Sequence, residues 1–159
     1  MRQKSLSKWI KFILIGIGIC LLLVLAYLIP DIGKGWVEEY PEYGHCYYPW
    51  LIFLWISGIP CFAVLVIGWQ IATNIGLDKS FSMDNAQRLK IISVLAAADA
   101  GFFFVMNIIY MIINMSHPGI ALASLMVVFI GIAVSVVSAA LSHLVRKAAD
   151  LQEQSDLTI

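Results

Sequence analysis

Four long apolar runs leave this chain few ways to fold. They span Phe12 to Ile29, Trp50 to Thr73, Ile91 to Met115 and Gly119 to Val145, and their one acidic residue is Asp99. A helix of about 18 apolar residues crosses a hydrocarbon core of roughly 30 Å, and each run reaches that length. Strands of a membrane barrel alternate apolar and polar side chains; these runs do not. Helices also let each backbone N–H and C=O find its partner within its own segment, as lipid requires. The expected fold class is therefore an all-α integral membrane protein with four transmembrane helices in an antiparallel bundle. Composition agrees, since 13% of residues are charged against about a quarter in soluble domains.

The expected single membrane domain, 1–159, divides into helix 1 over 12–29, an outer loop over 30–49, and helix 2 over 50–73. An inner loop over 74–90, helix 3 over 91–115, an outer turn over 116–118, helix 4 over 119–145 and a cytoplasmic amphipathic tail over 146–159 follow. Basic residues set the orientation. Arg2, Lys4, Lys8 and Lys11 precede the first run, Lys79, Arg88 and Lys90 separate the second from the third, and Arg146 and Lys147 follow the fourth. Only Lys34 lies on the other side, with Asp31, Glu38, Glu39 and Glu42. The positive-inside rule then places both termini and the middle loop in the cytoplasm. The first run reads as an anchor and not a cleaved signal peptide, because "AYLIP" offers no small-x-small cleavage site.

Cys20 and Cys61 fall inside helices and Cys46 beside His45 in the outer loop. That spacing gives neither a disulfide framework nor a metal motif, and no metal or other cofactor is expected. The outer loop is crowded with Trp36, Tyr40, Tyr43, Tyr47, Tyr48 and Trp50, while its prolines and glycines predict an absence of long helix. Such rings form an interfacial belt or the surface that receives an extracellular ligand. In the inner loop Ser82 is placed to cap the third helix, with Asp84 at the positive end of its dipole. Pro118 and Gly119 force a tight reversal between helices 3 and 4. Ser124, Ser135, Ser138 and Ser142 on helix 4, and Ala96, Ala97, Ala100 and Gly101 on helix 3, are small enough for close backbone approach.

Asp99 lies nine residues beyond Lys90, or about 14 Å at ~1.5 Å per residue, near mid-membrane. An ionised carboxylate there costs several kcal/mol. The side chain is therefore expected to face other helices and to stay protonated, since desolvation disfavours the charged form. Matching depths on helices 3 and 4 nominates Ser138 as its partner. Asn107 and Asn114, seven residues apart, are expected to share another inward stripe.

The segments "LIPDIG", "EEYPE", the proline of "SGIPCF", "FSMDNAQRLKII", the "HPG" turn and the closing "LVRKAADLQEQSDLTI" carry a resemblance along essentially the whole chain. On them the sequence resembles the YoaS-like bacterial membrane family, domain of unknown function 2975. The resemblance implies a four-helix protein of the bacterial cytoplasmic (inner) membrane, whose members are often encoded beside a small helix-turn-helix regulator. It assigns no catalytic or ligand residue, so Asp99 rests on its depth alone.

In the tail, Leu144, Ala148 and Leu151 continue one apolar line past the membrane. That line can lie along headgroups, pack under the bundle, or dock a cytoplasmic protein as a helix in a groove. No water-facing segment holds a nucleophile–base pair or a phosphate-cradling loop, so no enzyme is expected. The leading expectation is a regulatory or sensory membrane protein that holds a cytoplasmic helix-turn-helix regulator through Arg88, Lys90, Arg146, Lys147 and Leu151, without direct nucleic-acid contact. The alternative is a small proton-coupled transporter or immunity-type protector using Asp99. It is expected to work as a homo-oligomer, because four helices enclose little volume.

Overall fold

The structure, a computed structural model, describes residues 3–156; Arg2 and the last three residues of the predicted tail lie outside that range. Helix α1 (Gln3–Leu23) passes through a π-helical turn (Val24–Leu28) into α2 (Ile29–Glu39). A 3-10 turn (Pro41–Cys46) leads to α3 (Tyr47–Gly76), followed by α4 (Met83–Ile112) and α5 (Pro118–Asp156). Four helical stretches, Gln3–Glu39, Pro41–Gly76, Met83–Ile112 and Pro118–Ser155, are long and apolar enough to cross a membrane.

The segment 30–49 departs from the predicted loop, being helical almost throughout. Pro30 explains how. Proline lacks an N–H and crowds the carbonyl four residues back, and a π-turn absorbs such a lesion by widening the helix. Here the Ile29 N–H reaches back to the Val24 carbonyl, and Pro30 has no N–H to offer Leu25. The Trp55 indole N–H on α3 donates to the Leu25 carbonyl instead, at 3.0 Å. Once past the π-turn, Pro30 stands in the first turn of α2, where proline is tolerated.

The helices pack as an open row, a looser arrangement than the expected bundle. α1 packs on α3, α3 meets α4, and α4 packs along α5; among the described residues α1 makes no close approach to α4 or α5, nor α3 to α5. The row has a basic end, with the α3–α4 connection, and an aromatic end, with the α4–α5 turn. Along α1–α3, Ser7 Oγ donates to the Ala72 carbonyl at 2.5 Å, a Cβ on Gly68 would touch Leu14, and one on Gly58 would strike Leu25. Lys11 Nζ sits 5.0 Å over the Trp69 ring on the same seam. Along α4–α5, Ser142 Oγ donates to the Ala86 carbonyl at 2.6 Å, and Ser135 Oγ to the Ser93 carbonyl at 2.9 Å. Small residues do what the sequence predicts there, since a Cβ on Gly131 would stand 2.9 Å from that of Ala100. Ser7 is the one fully buried residue of α1; Lys11, Leu14 and Gly18 are half-covered along α3, and the opposite face is exposed.

Asp78 and Asn114 close α3 and α4 with φ of 58° and 56°. At each, the next residue's N–H turns back to a carbonyl five residues earlier: Lys79 to Asn74 at 3.0 Å and Met115 to Tyr110 at 2.8 Å. These are Schellman caps, and after glycine the left-handed conformation suits asparagine best. Asn114 is accordingly exposed. The stripe predicted to join it to Asn107 does not form, because the helix has already ended at Ile112.

The glycines separate three cases for replacement by alanine. At Gly131 the obstructing atom is the short, backbone-fixed Ala100 side chain, whereas at Gly58 it is the swinging end of Leu25 and at Gly16 nothing lies within 4 Å. Gly131→Ala is expected to destabilise by about 1–3 kcal/mol, Gly58→Ala by less, and Gly16→Ala to stabilise by up to about 1 kcal/mol. Thermal unfolding of the purified protein in micelles reads the order.

Candidate functional site

Asp99 is half-buried on α4, and its partner is on α3. Ser57 Oγ, itself buried, donates to Asp99 Oδ1 at 2.9 Å. The predicted partner Ser138 is buried on α5 but lies elsewhere. Its nomination takes Lys90 and Val145 to share a depth. The bonds Ser142–Ala86 and Ser93–Ser135 instead set Val145 near the level of the start of α4. Asp99 is thereby level with Gly131, which lies against neighbouring Ala100, and Ser135 is committed to Ser93. Run length is a poor ruler when one helix continues beyond the others.

Toward the aromatic end, α3 and α4 meet in a cluster of rings. Phe53 is 4.8 Å from Phe103 and 5.8 Å from Tyr110, and Trp50 lies 4.9 Å from Tyr110, all between ring centres. Their polar ends are paired: Trp50 Nε1 donates to the Met115 carbonyl at 2.8 Å and Tyr110 Oη to that of Pro49 at 3.0 Å. Asn107 is buried as predicted, with Nδ2 donating to the Phe103 carbonyl at 2.7 Å. Its Oδ1 has no partner among the described residues.

At the basic end the organising residue is Asn85, which the sequence does not single out. Asn85, 1% exposed, donates from Nδ2 to the carbonyls of Lys79 and Ser80, both at 3.1 Å, and its Oδ1 accepts from Asn74 Nδ2 at 2.9 Å. Its backbone N–H donates to the N-cap Ser82 Oγ at 3.2 Å, as predicted for that cap. The signal available in the sequence is Asn at the third position after a serine cap, which by itself makes only a weak capping box. Arg88, nominated for partner contact, is held by Asp84 at 2.9 Å. Lys90, Arg146 and Lys147 are exposed.

α5 continues without a break into the predicted tail. Ala149 is its buried side there, bordering a recess with Phe81 of the α3–α4 connection and Met83 at the start of α4. The predicted apolar line faces away: Leu144 and Leu151 are 61% and 58% exposed, with Ala148 half-covered between them. The cysteines form no cluster; Cys46 Sγ lies 3.3 Å from His45 Nε2, and among the described residues no three potential ligands gather.

An all-helical chain with four such stretches, joined by polar pairs along their apolar lengths, is a multi-span membrane protein. Residues 32–159 match the family model described as "Protein of unknown function (DUF2975)", and the chain belongs to that family. It is similar to the "Uncharacterized membrane protein YoaS" of Bacillus subtilis (strain 168), at 27% identity over 153 residues, covering 95% of this chain and 96% of that one. No solved structure matches.

Asn85→Ala removes three side-chain hydrogen bonds from a buried site, at roughly 1 kcal/mol each. The expected loss is about 2–3 kcal/mol, with faster hydrogen exchange over 79–86. Exchange as slow as in the parent protein contradicts the role given to Asn85.

Proposed function

We propose that this is a non-enzymatic protein of the bacterial cytoplasmic membrane whose four spans run antiparallel, with both termini inside. It holds a cytoplasmic regulator on the far end of α5. The contact pairs support the alternation, since partner numbers fall as chain numbers rise along each seam. Ser7 pairs with Ala72 and Leu25 with Gly58; Ser57 pairs with Asp99 and Asn74 with Asn85; Ala86 pairs with Ser142 and Ala100 with Gly131. The basic residues support the orientation.

One observation carries the regulatory reading: the outward face of α5 beyond the spans. Leu144 and Leu151 stand two turns apart, exposed, with Lys147 between them on the same face and Arg146 exposed to one side, on a helix whose opposite side is packed at Ser142 and Ala149. Two apolar anchors at this spacing on a rigid helix suit a groove in a partner protein. The resemblance supplies the partner class, a small helix-turn-helix regulator. Leu151→Asp leaves the packed side untouched, so membrane insertion is expected to be unchanged while co-purification of a co-expressed helix-turn-helix regulator of the class found beside family members falls about tenfold or more. Undiminished capture contradicts the reading.

The alternative, a proton-coupled transporter or immunity-type protector, draws on the half-exposure of Asp99 on an open row. Asp99→Asn keeps an oxygen to accept from Ser57, so the fold is expected to survive and reconstituted vesicles to show the same proton flux as the parent protein. A flux present in the parent and absent in the variant favours transport.

A further inference from the structure

A cavity of about 380 Å³ opens at the aromatic end of the row, between α2 and the turn from α4 to α5. Ile32 and Trp36 of α2, Tyr47 and Trp50 of α3, and Met115 and Ile120 across the gap form much of its wall. Small-molecule sites usually enclose about 300–1,000 Å³ with mostly apolar and aromatic lining. Among the described residues the α2 backbone makes no close approach to that of α4 or α5, so the space lies between two parts of the molecule whose backbones stay apart.

The wall is mostly apolar, and two of its polar side chains are tied to backbone carbonyls. Trp50 Nε1 donates to the Met115 carbonyl at 2.8 Å, and Tyr47 Oη to that of Pro30 at 3.4 Å. Gly33 admits the Tyr47 ring, since a Cβ there would stand 2.8 Å from it. His117 also borders the cavity. Its Nδ1 accepts the Gly119 N–H at 3.1 Å, which leaves Nε2 as the nitrogen free to donate.

We propose that the cavity takes the acyl chain of a bilayer lipid, with His117 Nε2 donating to the ester carbonyl. A water needs two to four polar partners, and a polar solute would leave its own groups unpaired; a methylene chain needs neither. The surrounding Trp and Tyr rings favour the depth at which headgroups and esters lie, which brings the His117 donor to the right end of such a chain. The inference rests on the chain being a membrane protein and not on the regulatory reading.

The test uses the full chain in phosphatidylcholine vesicles doped with a phosphatidylcholine whose acyl chain carries a diazirine. Photolysis and peptide mass spectrometry then compare the cavity residues with Phe129 on α5, which is exposed. Labelling at Trp36, Trp50 and Ile120 is expected to saturate at one lipid per chain and to compete with unlabelled lipid. Ile120→Trp, which fills the space, is expected to reduce it by about fivefold or more with Phe129 unchanged. Labelling that rises in proportion to probe, as at a surface in contact with bulk lipid, overturns the proposal. So does an absence of labelling at these positions while Phe129 is labelled. Because saturation and competition are read on the unaltered chain, they decide the matter even where Ile120→Trp does not fold.

Discussion

Each carbonyl in a membrane span needs a donor, and lipid provides none. That requirement makes the chain helical, and it also determines how the helices are joined. The hydrogen bonds between spans are mainly of one kind, a side-chain hydroxyl or indole donating to the backbone carbonyl of the facing span: Ser7 to Ala72, Trp55 to Leu25, Tyr110 to Pro49, Ser135 to Ser93 and Ser142 to Ala86. Serine suits this task because it can reach a carbonyl without holding the backbones apart. Trp55 shows the constraint most plainly. A proline on α2 removes one N–H, the carbonyl it would have served loses its partner, and an indole on another helix replaces it.

The spans pack with different intimacy. Between α4 and α5, glycine, alanine and serine let the backbones close in along much of their length. Between α1 and α3 the fit relies on aliphatic ends such as Leu14 and Leu25 lying over glycines, which tolerate more adjustment. Helix α5, at 39 residues or about 58 Å at ~1.5 Å per residue, is a single rod. Its first turn borders the cavity at the aromatic end and its last turns border the α3–α4 connection.

Much of this is legible in residue types alone. Run length gives four membrane-capable helices, Ser82 gives the α4 start, and small residues give the close α4–α5 seam, because each depends on local chemistry. What is not legible depends on register. Asp99 does turn toward a neighbouring helix, but choosing between Ser57 and Ser138 requires knowing that α5 runs past its partners. Asn114 resembles Asn107 in spacing, and only the helix end separates a buried amide from a cap. Pro30 and the glycines after it argue for a loop when their usual cost is counted without the π-turn that absorbs it. The open row escapes as well, since an apolar helix reads the same whether it faces lipid or protein.

The row divides into two units, α1–α2 with α3 and α4 with α5, and the α3–α4 seam joins them. That seam is held at three levels by different chemistry. Asn74 meets Asp84 and Asn85 at the basic end, Ser57 meets Asp99 partway along, and rings meet rings toward the aromatic end. Rings alone attract one another over a range of centroid separations, about 4.5–7 Å. A hydrogen bond has far less latitude, and each level of the seam has at least one: Ser57 to Asp99 at 2.9 Å, and at the ring cluster Tyr110 to the Pro49 carbonyl at 3.0 Å and Trp50 to that of Met115 at 2.8 Å. The cavity lies beside this end, between α2 and the α4–α5 turn. Its walls therefore belong to different units, and the seam those hydrogen bonds hold sets the distance between them.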